Sequence, residues 1–124
     1  MANPNILNVT SIYGKTAYVA LSSTNATQIV SNAASSGKVF KVNTIIVSNV
    51  DGTNAAYISV NLYSQDDIGG TAYAIAKTLS VPANASLVIL DKASAIYLEE
   101  DKSIGATAGA ADDLVVICSY EEIS

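Results

Sequence analysis

Apolar and polar residues alternate along much of the chain with the period of two that is typical of half-buried β-strands. The clearest example is residues 56–63. The two predicted faces of this strand differ sharply in polarity: Ala56, Ile58, Val60 and Leu62 lie on one, and Tyr57, Ser59, Asn61 and Tyr63 on the other. This pattern predicts a strand with one side in a core.

Eight further segments show related patterns and predict strands: residues 16–21, 28–30, 39–50, 72–81, 86–90, 95–98, 103–108 and 114–121. In residues 39–50 the apolar parity switches near Asn43 and Thr44, which predicts a β-bulge. Turn-forming residues at 49–54 predict that this strand and residues 56–63 form an antiparallel hairpin. Residues 71–79 are alanine-rich enough for a helix, but the alternation of Tyr73 and Ile75 with alanine favours a strand.

Short strands separated by turns at this spacing are typical of a β-sandwich or barrel. We therefore expect an all-β protein, a single-domain antiparallel β-sandwich of the jelly-roll or immunoglobulin-like kind, at residues 15–124. Residues 1–14 are irregular but apolar, which predicts an extended N-terminal arm. The candidate interaction residues of this arm are Pro4, Ile6, Leu7, Val9, Ile12 and Tyr13.

The composition argues against several classes of function. The 124 residues include no histidine and no arginine, the side chains that most often act as general bases, metal ligands or phosphate clamps. Six scattered lysines and eleven carboxylates give a net charge of −5, which opposes contact with nucleic acid. The sequence thus predicts a protein that binds neither nucleic acid nor membrane and is not an enzyme.

Residue patterns for specific chemistry point the same way, and we predict no catalytic, cofactor-binding or metal site. Carboxylate doublets such as Asp66/Asp67 and Asp112/Asp113 fit solvated turns, because neighbours in a strand point to opposite faces. Calcium held by such loops stays an alternative. The single cysteine, Cys118, lies in an apolar run and is expected to be a buried thiol. No segment has the pattern of a membrane span or a secretory signal, so we expect folding in a cytoplasm.

Seven tyrosines against one phenylalanine form the strongest aromatic signal. Tyr57 and Tyr63 are predicted on the polar face of their strand, where tyrosine is suited to an interface because it buries area while keeping a polar tip. They are candidate interaction residues. A sugar-binding platform and simple cover for a half-exposed sheet are the alternatives.

The order of strand and turn segments along the chain resembles that of small virion structural proteins of tailed bacteriophages. The resemblance is nearest to the forms carried by phages of marine cyanobacteria. The matching segments cover roughly the last two thirds of the chain, and the leader at 1–16 also fits. They are residues 38–49, 51–53, 57–60, 81–83, 96–104 and 119–123. These segments carry strand and turn patterns, so the resemblance brings no site residues with it.

The resemblance implies a structural component of the virion, made in the host cytoplasm. The leading hypothesis is an outer capsid decoration or cement protein that bridges shell subunits, with the major capsid protein as partner and a homo-oligomeric state. A tail, neck, baseplate or fibre component and a carbohydrate-binding module are the alternatives. Because the contacts contain no histidine, binding to the particle should not depend on pH between about 6 and 8.

Overall fold

The computed structural model describes residues 3–124, which form nine β-strands and one 3-10 turn, Lys92–Ser94. All nine predicted strands are present. Three have the predicted ends, and the other six are shifted at one or both ends. Their bounds are β1 Ile12–Leu21, β2 Thr27–Asn32, β3 Val39–Asn49, β4 Ala56–Tyr63, β5 Ala72–Val81, β6 Ser86–Leu90, β7 Ile96–Leu98, β8 Lys102–Ala108 and β9 Leu114–Ile123.

The strands form two antiparallel sheets, which confirms the predicted β-sandwich. The five-stranded sheet has the order β1-β9-β3-β6, with β7 also pairing with β3, and the four-stranded sheet has the order β2-β8-β4-β5. The chain crosses repeatedly from one sheet to the other, so that strands distant in sequence become neighbours. In the most extreme case β1 pairs with β9 over its whole length.

The predicted hairpin between β3 and β4 is wrong, because the two strands belong to different sheets. Residues 50–55 are long enough to cross the ~10 Å between packed sheets. The Asn49 side chain holds this crossing by donating to the backbone oxygens of Asn54 and Val81, each at 2.9 Å. Because of this crossing, β3 and β4 lie in opposite sheets, and the apolar face of each strand packs against the sheet that contains the other.

The core lies between the sheets and contains the alternate residues that the sequence pattern indicated. Ile58 and Val60 are fully buried, as is Cys118, whose burial raises its pKa to about 12. The register of β3 against β9 shifts between Val42 and Thr44, which confirms the predicted bulge. Residues 72–81 are a strand rather than a helix.

The boundary of the N-terminal arm lies earlier than predicted. Ile12, Tyr13 and Gly14 belong to β1 and pair with Ile123, Glu122 and Glu121. The C-terminal end of β9 supplies these partners, and sequence patterns around residue 12 gave no sign of them. Of the predicted arm, residues 3–11 precede the strand, and Met1 and Ala2 lie outside the described residues.

The loop at residues 64–71 folds onto the outer face of the four-stranded sheet. The backbone N–H of Ile68 donates to Ser103 Oγ at 2.8 Å, and that of Asp67 donates to Ser31 Oγ at 2.9 Å. Beneath the loop lies Gly105, where an added Cβ would stand 2.9 Å from Ile68 Cγ2 and 3.0 Å from the Tyr63 ring. Glycine is therefore required here for close packing.

We predict that Gly105→Ala lowers the free energy of unfolding by about 1–3 kcal/mol, because the added methyl overpacks this contact. Urea denaturation measures the change. Gly52→Ala is the control, since the heavy atom nearest to an added Cβ there is Asn84 Nδ2 at 3.6 Å, an ordinary contact distance. Equal stabilities of the two variants would contradict the packing argument.

Candidate interaction surfaces

The N-terminal segment, residues 3–11, lies against its own domain. Asn3 Nδ2 donates to Glu99 Oε2 at 3.0 Å, and the backbone N–H groups of Thr10 and Ser11 both donate to the Ser124 carbonyl. Between these attachments the segment borders a cleft of about 340 Å³. The cleft is lined by Asn3, Pro4, Ile6, Val39, Tyr97 and Glu99.

The six predicted arm residues therefore divide into groups. Pro4 and Ile6 line the cleft, and Val9 is half-buried. Leu7 points into solvent with 93% of its surface exposed. Ile12 and Tyr13 are exposed on β1. Four of the six, Ile6, Leu7, Ile12 and Tyr13, are therefore accessible to another molecule.

Tyr57 and Tyr63 do not form the exposed pair that alternation predicts. Tyr57 is 55% exposed, whereas Tyr63 is only 8% exposed. The Tyr63 ring lies against Gly105, which the loop at residues 64–71 covers through Ile68. A long-range loop contact buries this ring, and strand periodicity carries no information about such contacts.

A row of apolar side chains crosses the outer face of the five-stranded sheet, and the sequence analysis missed it. Ile117 pairs with Tyr18 on one side and with Ile46 on the other, and Ile46 in turn pairs with Val88. The row thus spans β1, β9, β3 and β6. Tyr18 is 80% exposed and Val88 56%.

The rows on either side of this apolar row carry no charge. They are Ala20, Val115, Ser48 and Ser86 on one side, and Thr16, Ser119 and Thr44 on the other. Beyond the row of Thr16, the first charges on β9 and β3 are Glu121 and Lys41, which pair directly across the two strands. An apolar centre with a neutral polar surround is typical of the middle of a protein–protein interface. We call residues 16, 18, 20, 44, 46, 48, 86, 88, 115, 117 and 119 the neutral face.

A cluster of three charges closes one end of the sandwich. The Glu122 side chain is 8% exposed and forms ion pairs with Lys15 and Lys38. Hydrogen bonds from the two ammonium groups hold the pKa of Glu122 below its usual range, and Glu122 in turn raises the pKa of Lys15. Beside the cluster, the rings of Phe40 and Tyr120 pack with centroids 5.2 Å apart. Residues 15, 38 and 122 are brought together only by the pairing of β9 with β1 and β3.

We predict that Glu122→Gln lowers the free energy of unfolding at pH 7 by roughly 1–2 kcal/mol, since charge-assisted hydrogen bonds are lost. A lowered folded-state pKa contributes stability above the unfolded value of about 4.3, and this is lost as pH falls through the folded value. The difference in free energy of unfolding between the variant and the native protein should therefore become smaller below about pH 4. Urea titrations from pH 3 to 7 measure it, with Glu121→Gln as control. A difference in stability that does not change with pH would contradict a stabilising role for the Glu122 carboxylate.

The acidic loops are occupied by hydrogen bonds within the fold. Asp66 accepts from the backbone N–H of Ala34 at 3.2 Å, and Asp101 accepts from that of Asp66 at 3.2 Å. Within residues 3–124, no cluster of three or more histidine, cysteine or acidic side chains is arranged to hold a metal ion. In the same part of the chain, no helix has the length and apolar character needed to cross a bilayer.

Comparisons with known proteins extend the fold assignment. No protein-family profile matches the chain, and no curated protein sequence does. Two of the solved structures that are similar to this chain show its fold over most of their length. One is from Bacillus endospore appendages, described as disulfide-linked pili, with a TM-score of 0.52 and 15% identity over 92% of this chain and 88% of that chain. The other is from the acid-stable capsid of Helicobacter pylori bacteriophage KHP30, with a TM-score of 0.54 and 12% identity over 94% and 90%. At these identities the likeness concerns the fold.

Proposed function

We propose that this protein is a non-enzymatic structural component of a virion that binds the outer surface of the capsid as a decoration protein. The neutral face is the observation that carries the proposal. The net charge of the chain is −5, yet three neighbouring rows on one sheet face carry no charge, and their centre is apolar. The fold shared with a phage capsid structure and the resemblance to tailed-phage virion proteins support the same function.

The neutral face has the size expected for the centre of an interface. Four strands about 4.8 Å apart and three rows about 6.6 Å apart give roughly 380 Å². A stable interface needs about 800 Å² from each partner, so the proposed contact extends beyond this face. Leu7 and Ile6 of the N-terminal segment are exposed and add apolar area next to the sheet.

The mechanism is binding linked to assembly. A module that binds the assembled shell, and not its separated subunits, stabilises the shell by RT ln(1 + [L]/Kd), where [L] is the concentration of free module. This is about 2.7 kcal/mol per site when that concentration is 100 times Kd. The absence of arginine and the acidic balance favour a surface that faces protein, away from packaged DNA. The major capsid protein is the partner that this position implies.

Two other functions are alternatives to decoration. A tail, neck, baseplate or fibre position uses the same surfaces at lower copy number, and the number of copies per particle separates it from decoration. A filament subunit is suggested by the pilus structure that shares the fold. Cys118 is fully buried and is the only cysteine, which argues against filaments linked by disulfides. A sugar platform built on Tyr57 and Tyr63 is disfavoured, because Tyr63 is covered.

We predict that Val88→Lys weakens binding to capsids at least tenfold, because it places a charge in the apolar row. Cosedimentation with particles of the encoding phage, prepared without this protein, measures the affinity. The control is Tyr57→Lys, which changes a side chain of nearly equal exposure on the opposite sheet. If both variants bind as the native protein does, the neutral face is not the capsid-binding surface.

We predict that deletion of residues 2–9 also reduces occupancy on particles while the sandwich stays folded, because the deletion ends before β1. Circular dichroism and urea denaturation check the fold, and quantitative mass spectrometry of purified particles gives the occupancy. Full occupancy by the shortened protein would show that the segment is not needed for binding.

A further inference from the structure

The two sheets have four edges, and three of them are protected against pairing with another chain. One edge of the five-stranded sheet consists of β6 and β7, which have only five and three residues and are separated by the 3-10 turn. On the four-stranded sheet, β2 has a register shift between Gln28 and Val30. The strand β5 has two shifts and a positive φ of 52° at Thr78. Short strands and bulges are the usual ways in which proteins block an edge.

The fourth edge, β1, lacks these protections. All ten residues of β1 pair with β9 in unbroken register, and among residues 3–124 no strand pairs with its other side. The strand contains no proline, and Lys15 is its only charged residue. Lys15 is already paired with Glu122. A long regular edge of this kind is a template for another strand.

We propose that β1 pairs antiparallel with β1 of a second copy, which joins the two five-stranded sheets into one continuous sheet. The proposal is independent of the capsid role. A second copy suits this edge because the contact between two acidic chains here is nearly free of like charges. A two-fold contact also uses both open edges and closes at a dimer.

The register of this contact follows from the side-chain pattern. Directly opposed residues in an antiparallel pair point to the same face, so a two-fold axis perpendicular to the sheet places one residue opposite its own copy. An axis at Lys15 would oppose two lysines, which is destabilising. An axis at Ala17 would bring Leu21, fully buried in its own core, into the contact. An axis at Thr16 avoids both and pairs residues 12–20 of each copy.

This register also gives Tyr18 a partner. It places Tyr18, the second most exposed large apolar side chain of the described residues, opposite Gly14 of the second copy. The space above Gly14 is open, with nothing within 4 Å of an added Cβ. An aromatic ring over a cross-strand glycine is a stabilising arrangement in β-sheets. Lys15 then lies opposite Ala17, away from the second lysine.

Cysteine cross-linking tests the register directly. In a Cys118→Ser background, Thr16→Cys should form a disulfide dimer under mild oxidation, because opposed Cα atoms lie about 4.5–5.5 Å apart and disulfides span 4.4–6.8 Å. Ala20→Cys is the matched control on the same face of the same strand. Its two copies would be about 26 Å apart along the strand. Equal cross-linking at both positions, or none at Thr16→Cys, would overturn the proposal.

Light scattering of the native protein tests the dimer itself and should give twice the 12.8 kDa chain mass at concentrations of about 100 µM. Thr16→Lys opposes two lysines at the axis and should raise the dimer dissociation constant at least tenfold, whereas Ala20→Lys should change it less than threefold. Both side chains are exposed, and urea denaturation checks that the variants fold. A monomeric native protein, or a dimer equally sensitive to both variants, would overturn the proposal.

Discussion

The structure depends on the pairing of β9 with two strands at once. Residues 114–123 pair along their full length with β1 on one side and with β3 on the other. This central position joins the end of the chain to its beginning, completes the five-stranded sheet and carries Val116 and Cys118 into the core. It also sets Glu122 between Lys15 and Lys38. The core, the charge cluster and the neutral face all require the same alignment.

The two outer faces of the sandwich differ because of what covers them. The four-stranded sheet is partly covered by its own loop at residues 64–71, which explains why Gly105 and Tyr63 are buried. The five-stranded sheet has no such cover over its central rows among the described residues, and its apolar row stays exposed. Exposed apolar patches are typical of interaction sites, and the proposed function rests on this face for that reason. The open edge of β1 adjoins this face, so the two proposed contacts lie on the same side of the molecule.

Local sequence patterns were most informative where one side of a strand is buried and the other is solvated. The alternation in β4 and the parity switch in β3 located the strands and the bulge because both features depend on near neighbours. The neutral face was missed for a related reason. Runs such as Ile45-Ile46-Val47 and Val115-Val116-Ile117 are apolar on both faces, and a continuous run does not reveal which side is covered. Such a run in an antiparallel sheet, where one face is normally polar, was the available signal.

By itself, the sequence determined the fold class, the positions of the strands, the burial of Cys118 and the absence of histidine and arginine chemistry. Each follows from residue type or from period-two patterning, which act within a few residues. Only the tertiary structure decided that β3 and β4 lie in different sheets, that Tyr63 is covered, that three charges meet at Glu122 and that β1 is an open edge. These features depend on which strands become neighbours. That choice is made by the burial of apolar surface between segments as far apart in the chain as Ile12 and Ile123, and no local pattern encodes it.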